Sequence, residues 1–262
     1  MRPKRPTALI TGASSGIGRD FAERLAAERH DLILTARSED RLRALARDLE
    51  VHGTRISVLR ADLSEPGAAS RLAAEVEARG LRVDVLINNA GYGTYGLFAD
   101  LSLPEQLRMI QLNIGALTEL TWQLLPGMIA RRHGRVLNVA STAAFFPGPL
   151  MAVYYASKAF VLSFSEALAC ELRGTGVTVT ALCPGPTATG FQARAGLEGS
   201  RLFVSGRTLS SADVVDEAYQ ALLRGQTLVI PGRTNRLQTF LTRLVPRAVL
   251  PDLVRKAQER IH

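Results

Sequence analysis

The 262-residue sequence predicts one doubly wound α/β domain, a mostly parallel seven-stranded sheet with helices on both faces. Short runs rich in Val, Ile and Leu recur without strict apolar–polar alternation, as expected of strands buried on both faces of a parallel sheet. Helical patterns separate these runs, which is the signature of strand–helix–strand crossovers. With 47% hydrophobic residues and no linker, repeat or low-complexity tract, the chain can bury one sizeable core.

The elements follow in order. Thr7 to Thr11 is the first strand, followed by a glycine-rich turn and a helical pattern from Gly16 to about Arg29. Leu32 to Ala36 is the second, followed by a helix from about Glu39 to Leu49. Arg55–Leu59, Val83–Ile87, Arg135–Val139, Val177–Leu182 and Thr227–Ile230 complete the seven. Helices are expected at about 65–80, 104–132, 152–173 and 211–224. Sheets wound this way bind ligands at the carboxyl ends of their strands.

Composition narrows the function classes. The basic start, Met1 to Pro6, leads into only five apolar-leaning residues, too few for a signal peptide. No stretch approaches the ~20 apolar residues of a membrane-spanning helix. Cys170 and Cys183 have apolar neighbours and no metal or redox spacing, so both are expected to be buried thiols of a cytoplasmic protein. His30, His52, His133 and His262 lack ligand spacing, and no metal is expected. The net charge of +8 would suit nucleic acid. However, the arginines are interleaved with acids and no recognition module accompanies them, so nucleic-acid binding is not expected.

The first strand ends in Thr11-Gly12-Ala13-Ser14-Ser15-Gly16-Ile17-Gly18. Glycines here allow a tight turn and a close backbone approach to a pyrophosphate, and the following helix supplies N–H groups and a partial positive charge. The position between strand and helix makes this a cofactor turn rather than a bare loop. At the end of the second strand stands Arg37 rather than a carboxylate, which favours a 2′-phosphate, and hence NADP(H) over NAD(H). Ser14 is placed to add a hydroxyl to the same pocket. Tyr154 and Lys158, four residues apart, share a helix face. A nearby ammonium favours a phenolate, so Lys158 is expected to pull Tyr154 down toward neutral pH.

Together, the Thr-Gly-x-x-x-Gly-x-Gly turn, Asn88-Asn89-Ala90-Gly91, Tyr154-Tyr-Ala-Ser-Lys158 and Pro184-Gly185-Pro-Thr-Ala-Thr189 resemble the classical short-chain dehydrogenases/reductases, which have a Rossmann-type fold. These motifs run from residue 11 to residue 189 in the family's order. The resemblance implies that Tyr154 is the general acid/base and that Ser141 hydrogen-bonds the substrate oxygen. It implies that Lys158 also holds the nicotinamide ribose, and that Asn113 supports a proton path. It places Asp62 and Leu63 at the adenine, Asn89, Ala90 and Gly91 along the adenosine half, and Thr187 and Thr189 at the carboxamide. Thr187 departs from the family's usual Ile or Val.

The loop from Thr142 to Met151, with Phe146, is expected to line the substrate pocket, aided by Tyr92, Phe98 and Phe191. A lid is expected at about 186–210, including Leu197, Gly199 and Phe203. These apolar residues, without an arginine clamp, suit a hydrophobic ketone, aldehyde or alcohol. The leading expectation is therefore an NADP(H)-dependent carbonyl reductase or alcohol dehydrogenase. A non-catalytic NADP(H)-binding regulator on the same fold is the alternative. A homo-oligomer, dimer or tetramer, is expected from the apolar stripes of the helices at 104–132 and 152–173, which pair between subunits in the resembling family.

The catalytic domain is expected over 1–232, with 233–262 as a helical extension. Leu237, Phe240, Leu241, Leu244 and Val245 form one apolar stripe; Leu250, Leu253, Val254, Ala257 and Ile261 form another. Packing on the body is the favoured reading of both stripes, and a basic surface on anionic membrane is the other.

Overall fold

In the computed structural model, which describes residues 5–197 and 208–259, seven parallel strands form the central sheet. They are β1 (Thr7–Thr11), β2 (Asp31–Ala36), β3 (Ile56–Arg60), β4 (Val85–Asn88), β5 (Gly134–Val139), β6 (Val177–Leu182) and, after two short strands, β9 (Leu228–Val229). Their order is β3-β2-β1-β4-β5-β6-β9, so the winding reverses between β1 and β4 and opens a crevice there. The predicted strands match these within one or two residues at each end.

Strand residues alternate between two buried cores. Ile10, Leu32 and Leu34 face α1 (Gly16–Ala27), α2 (Glu39–Leu49) and the helix Ser211–Leu223, meeting Phe21, Leu42 and Val214. Leu9, Ile33 and Leu86 face the opposite way, toward α3 (Ala68–Ala78) and the helices described next, meeting Leu72, Leu120 and Leu168. Burial on both faces explains why the strands read as continuous apolar runs.

The helix expected over 104–132 is interrupted. α4 (Leu103–Ile110) passes into a wider π turn, Gln111–Ala116, before α5 (Leu117–Ala130). Such turns admit one extra residue into a helix and recur at functional sites. α6 (Ala152–Glu171) packs beside this segment. A buried polar chain ties the layers: Asn88 donates to Thr121 and Asn138, each at 2.9 Å, and Asn138 donates to Ser165 at 2.9 Å.

Beyond β6, β7 (Thr187–Ala188) pairs with β8 (Leu209–Ser210), with α7 (Phe191–Ala195) between them and α8 (Ser211–Leu223) after them. Gly199 and Phe203, expected in the lid, lie outside the described residues, as do Ile261 and His262. Cys183 is buried but Cys170 is exposed on α6, which corrects the expectation of two buried thiols.

The C-terminal helices, α9 (Arg233–Leu241) and α10 (Leu250–Gln258), correct a second expectation. Leu237, Phe240, Leu241 and Leu244 point outward, between 44% and 68% exposed. The inward face of α9 is polar: Asn235 and Thr242 are half-buried and Thr239 is buried. From α10, Leu250 is buried and Val254 packs inward, while Leu253 and Ala257 are exposed.

Candidate active site

The turn after β1 holds its shape through backbone conformations that side chains resist. Gly12 and Gly16 have φ of +65° and +54°, in the left-handed region. A Cβ on Gly18 would lie 2.4 Å from the Asn89 amide nitrogen and 2.5 Å from the Gly12 carbonyl oxygen. Thr11 and Asn89 lace β1 to β4. The Thr11 hydroxyl accepts from the backbone N–H groups of Asn89 and Ala90, each at 2.9 Å. The Asn89 amide donates to the carbonyls of Thr11 and Gly12. These two side chains therefore support the turn from behind.

Ser15 precedes α1 in an extended conformation, and no side chain caps the helix N-terminus; Ser14 and Ile17 are half-buried beside it. The first turn of α1 contains no acid, so its N–H groups remain suited to an anion. A cradle that any Cβ would fill, before an acid-free helix start, fits a nicotinamide dinucleotide.

Arg37 is exposed at the end of β2. Asp62, after β3, accepts hydrogen bonds from the Ser64 N–H and hydroxyl at 3.0 and 2.6 Å. Burial raises its carboxyl, but these bonds, with Arg37 and Arg108, outweigh burial and hold it below the usual range. Leu63 is buried next to it. Two further guanidiniums join Arg37: partial burial first, then the charges of Arg37 and Arg41, lower Arg194 of α7. Arg41 carried a sequence signal, its four-residue spacing from Arg37; Arg194, about 150 residues further along the chain, carried none.

Tyr154 and Lys158 are both buried on α6, with the Lys158 ammonium 5.8 Å from the centre of the Tyr154 ring. The ammonium donates to the Val139 carbonyl at 2.8 Å. Burial pushes the Tyr154 phenol up, and the Ser141 hydroxyl pulls it part of the way back. Burial also pushes Lys158 down, to about 8. The expected lowering of Tyr154 by Lys158 is therefore corrected: burial raises the phenol, and the group that lowers it is Ser141. Ser141, extended after β5, accepts from the Ala143 N–H at 3.1 Å and donates to the Pro184 carbonyl at 3.4 Å.

Asn113 sits in the π turn. Its amide donates to the Tyr92 carbonyl and the Ser157 hydroxyl, each at 3.0 Å, and its oxygen accepts from the Tyr92 N–H at 3.2 Å. Ser157 in turn donates to the Tyr154 carbonyl at 2.7 Å, so Asn113 braces the start of α6. A Cβ on Gly91 would lie 3.0 Å from the Asn113 oxygen and 3.5 Å from the Lys158 nitrogen, so a side chain there would crowd Asn113.

Around Tyr154 lies an apolar cluster of Met109, Met151, Tyr92, Phe146, Phe191 and Val254. The Phe191 ring is 5.3 Å from the Tyr154 ring. Gly93 allows this approach, since its Cβ would lie 3.0 Å from both the Tyr154 ring and Met151. Leu150 has a φ of +68°, rare for a bulky residue, and its carbonyl accepts from the Gly96 N–H. Behind β6, Thr187 donates to the Gly185 carbonyl at 2.9 Å, and the Thr189 hydroxyl accepts from the Phe191 N–H at 3.3 Å. Gly185 is closed over by the Asn235 side chain.

Gln258 and Tyr95 escaped the sequence reading. Gln258 is buried and its side-chain amide donates to the Tyr155 hydroxyl, while its backbone carbonyl accepts from the Tyr95 hydroxyl at 3.1 Å. Among the described residues, no cluster of His, Cys, Asp and Glu could hold a metal ion, and no helix is long and apolar enough to cross a membrane.

A crevice at the switch point of a doubly wound sheet, with a glycine cradle and a buried Tyr–Lys pair, defines a Rossmann-type dinucleotide fold. The chain belongs to the short chain dehydrogenase family, whose model matches residues 6–198. It is 40% identical over 182 residues to a very-long-chain 3-oxoacyl-CoA reductase of Phaeosphaeria nodorum. That match takes in 68% of this chain but only 53% of the fungal protein, so the chain spans about half of that relative's length. A short-chain dehydrogenase from Sphingobium yanoikuyae, in complex with NADPH, superimposes with a TM-score of 0.81 at 34% identity, covering 93% of this chain and 97% of the other. A short chain dehydrogenase/reductase from Burkholderia phymatum, in complex with NAD, gives a TM-score of 0.81 at 27% identity, covering 91% and 92%.

Proposed function

We propose that this chain is an NADP(H)-dependent carbonyl reductase or alcohol dehydrogenase for hydrophobic substrates, with Tyr154 moving the proton. The observation that carries this reading is the buried Tyr154, with Lys158 one helical turn on and Ser141 close enough to lower its phenol, inside an apolar cluster. Gly12, Ser14, Ser15, Gly16, Ile17 and Gly18 would hold the pyrophosphate, and Asp62, Leu63, Ala90 and Gly91 the adenosine half. Pro184, Gly185, Thr187 and Thr189 would flank the nicotinamide. Thr11 and Asn89 act from behind, by fixing the turn. When bound, the cofactor supplies the hydride and, in its oxidised form, a positive ring.

The protein's own part is the proton. Ser141 holds the substrate oxygen against Tyr154, which gives its proton to the forming alkoxide. Lys158 holds positive charge behind the phenol and so limits the cost of a phenolate. Burial alone would make Tyr154 too weak an acid, so the pair must work as a unit. Asn113 keeps α6 in register for this exchange.

Arg37, at the end of β2 where no carboxylate stands, supports NADP(H), and the charges of Arg41 and Arg194 near it add to a setting that suits a 2′-phosphate. The long-chain ketone in the name of the fungal relative agrees with the apolar wall from Tyr92, Phe146 and Phe191. A homo-oligomer is proposed through α4, α5 and α6, where Leu103, Leu107, Trp122 and Phe160 are exposed. The test is loss of reduced-nicotinamide absorbance with a panel of hydrophobic ketones, using NADPH and then NADH. Turnover on bulky ketones with NADPH is expected. Cofactor binding without turnover on any ketone or alcohol would select a regulator instead.

A further inference from the structure

The outward face of the two C-terminal helices has no partner among the described residues. Leu237, Phe240, Leu241, Leu244, Val249 and Leu253 are between 44% and 68% exposed, a density of large apolar side chains seldom left to water. Helix packing is not what leaves them outside. α9 is anchored through its other side: Asn235 covers Gly185, and Thr239 is buried with its hydroxyl donating to backbone carbonyls of its own helix. α10 is anchored through Leu250, Val254 and Gln258. The apolar face is therefore turned outward by the anchoring of the opposite side.

Charge identifies the occupant. Over residues 233–259, six basic residues stand against Asp252 and Glu259, a net +4. All six basic residues are exposed. Arg236 and Arg255 are paired with Glu217 and Glu259; among the described residues Arg233, Arg243, Arg247 and Lys256 have no ion-pair partner. A second copy of the same face would oppose +4 to +4 across a closed interface, which is repulsive. A surface both apolar and negatively charged satisfies both features, and a bilayer with anionic headgroups is that surface.

We propose that this face docks the enzyme peripherally on anionic membrane. Leu237, Phe240, Leu241 and Leu244 enter the headgroup–acyl boundary, and the arginines pair with headgroup phosphates. The inner side of the same helices covers the cluster around Tyr154, so docking sets the proposed pocket beside a lipid phase. The docking itself does not depend on the proposed chemistry, and its test reads no turnover.

The full-length protein is sedimented with vesicles of phosphatidylglycerol mixed with phosphatidylcholine, and separately with phosphatidylcholine alone. Binding is expected to the anionic vesicles and to fall steeply with added salt. Arg243→Gln with Arg247→Gln is expected to weaken it roughly 30-fold, about 2 kcal/mol at ~1 kcal/mol per basic residue. Phe240→Ser with Leu244→Ser is expected to weaken it by roughly tenfold or more through lost apolar burial. Circular dichroism and melting temperature are expected to stay unchanged in both variants, because all four side chains are exposed. No binding, equal binding to neutral vesicles, or full binding by the Phe240/Leu244 variant would overturn the proposal. Self-association lost in that variant, without vesicle binding, would overturn it in favour of a second copy.

Discussion

Lys158 stands in a place that costs the folded chain stability. Its pKa falls from 10.5 to about 8, with burial as the leading cause. At ~1.4 kcal/mol per unit, the buried ammonium costs about 3 kcal/mol near neutral pH. Lys158→Met removes that cost and also the hydrogen bond to the Val139 carbonyl, worth about 1 kcal/mol. The cofactor-free variant is therefore expected to gain about 2 kcal/mol at pH 7. At about 2–4 °C per kcal/mol for a chain of this size, the melting temperature should rise by roughly 4–8 °C. The pH dependence provides the sharper check. Between pH 8 and 10.5 the unfolded chain binds more protons at this site, so wild-type stability recovers as pH rises. The variant has no such group, and its advantage should vanish or reverse by pH 10. Raised phenols and thiols elsewhere, such as Tyr155 and Cys183, are common to both proteins and cancel. Thermal unfolding followed by circular dichroism at pH 7 and pH 10 measures the difference. A variant less stable at both pH values, or an advantage independent of pH, would refute the reasoning.

Tyr154→Phe should lower kcat by roughly 10³-fold, the span of a lost general acid, while NADPH fluorescence titration shows binding retained. Activity within tenfold of wild type would remove Tyr154 from the proton path. Arg37→Asp should weaken NADPH by several kcal/mol through like charge and leave NADH little changed; parallel Kd measurements decide this, and equal losses for both cofactors would count against a 2′-phosphate contact. Trp122→Glu puts a charge on a residue 70% exposed, so sedimentation should show a smaller assembly with an unchanged fold; an unaltered oligomer places the interface elsewhere. Gln258→Leu breaks the contacts to Tyr155 and shifts the inner face of α10. KM for bulky ketones should change several-fold with kcat nearly constant, and a pure loss of kcat would contradict a role in the pocket wall.

The strands and the glycine turn were legible because each is a local pattern with one physical solution. A run such as Leu32 to Ala36 buries on both sides or not at all, and Gly12, Gly16 and Gly18 each answer a backbone demand. Spacing put Tyr154 and Lys158 on one helix face, and the resemblance to a known family supplied their roles. The electrostatics of the pair were not legible, because desolvation is set by the aromatic wall of Phe191 and Tyr155, which spacing does not reveal. The C-terminal helices show a different limit. Leu237, Phe240, Leu241 and Leu244 make a regular stripe, but Asn235, Thr239 and Thr242 make one just as regular at i, i+4 and i+7. Periodicity reveals that a helix has two faces; which of them meets the protein depends on contacts, here Gly185 and Tyr155, far away in the chain. Arg194 and Gln258 were hidden for the same reason.

The π turn at Gln111–Ala116 has a geometric consequence for the outer surface. At about 100° per residue, twelve plain helical positions between Ile110 and Trp122 would rotate Trp122 about 120° away from Ile110. Absorbing one residue in the wide turn reduces the separation to about 20°. The exposed Leu103, Leu107 and Ile110 of α4 thus continue into Trp122 and Ile129 of α5 as one longitudinal seam. The extra residue acts as a phase corrector: it aims Asn113 inward at Ser157 while keeping the two helical halves rotationally aligned on the outside. Deleting one residue from Gln111–Ala116 would leave eleven plain helical positions and the same offset of about 20°, so the seam would stay aligned while the wide turn that places Asn113 is lost.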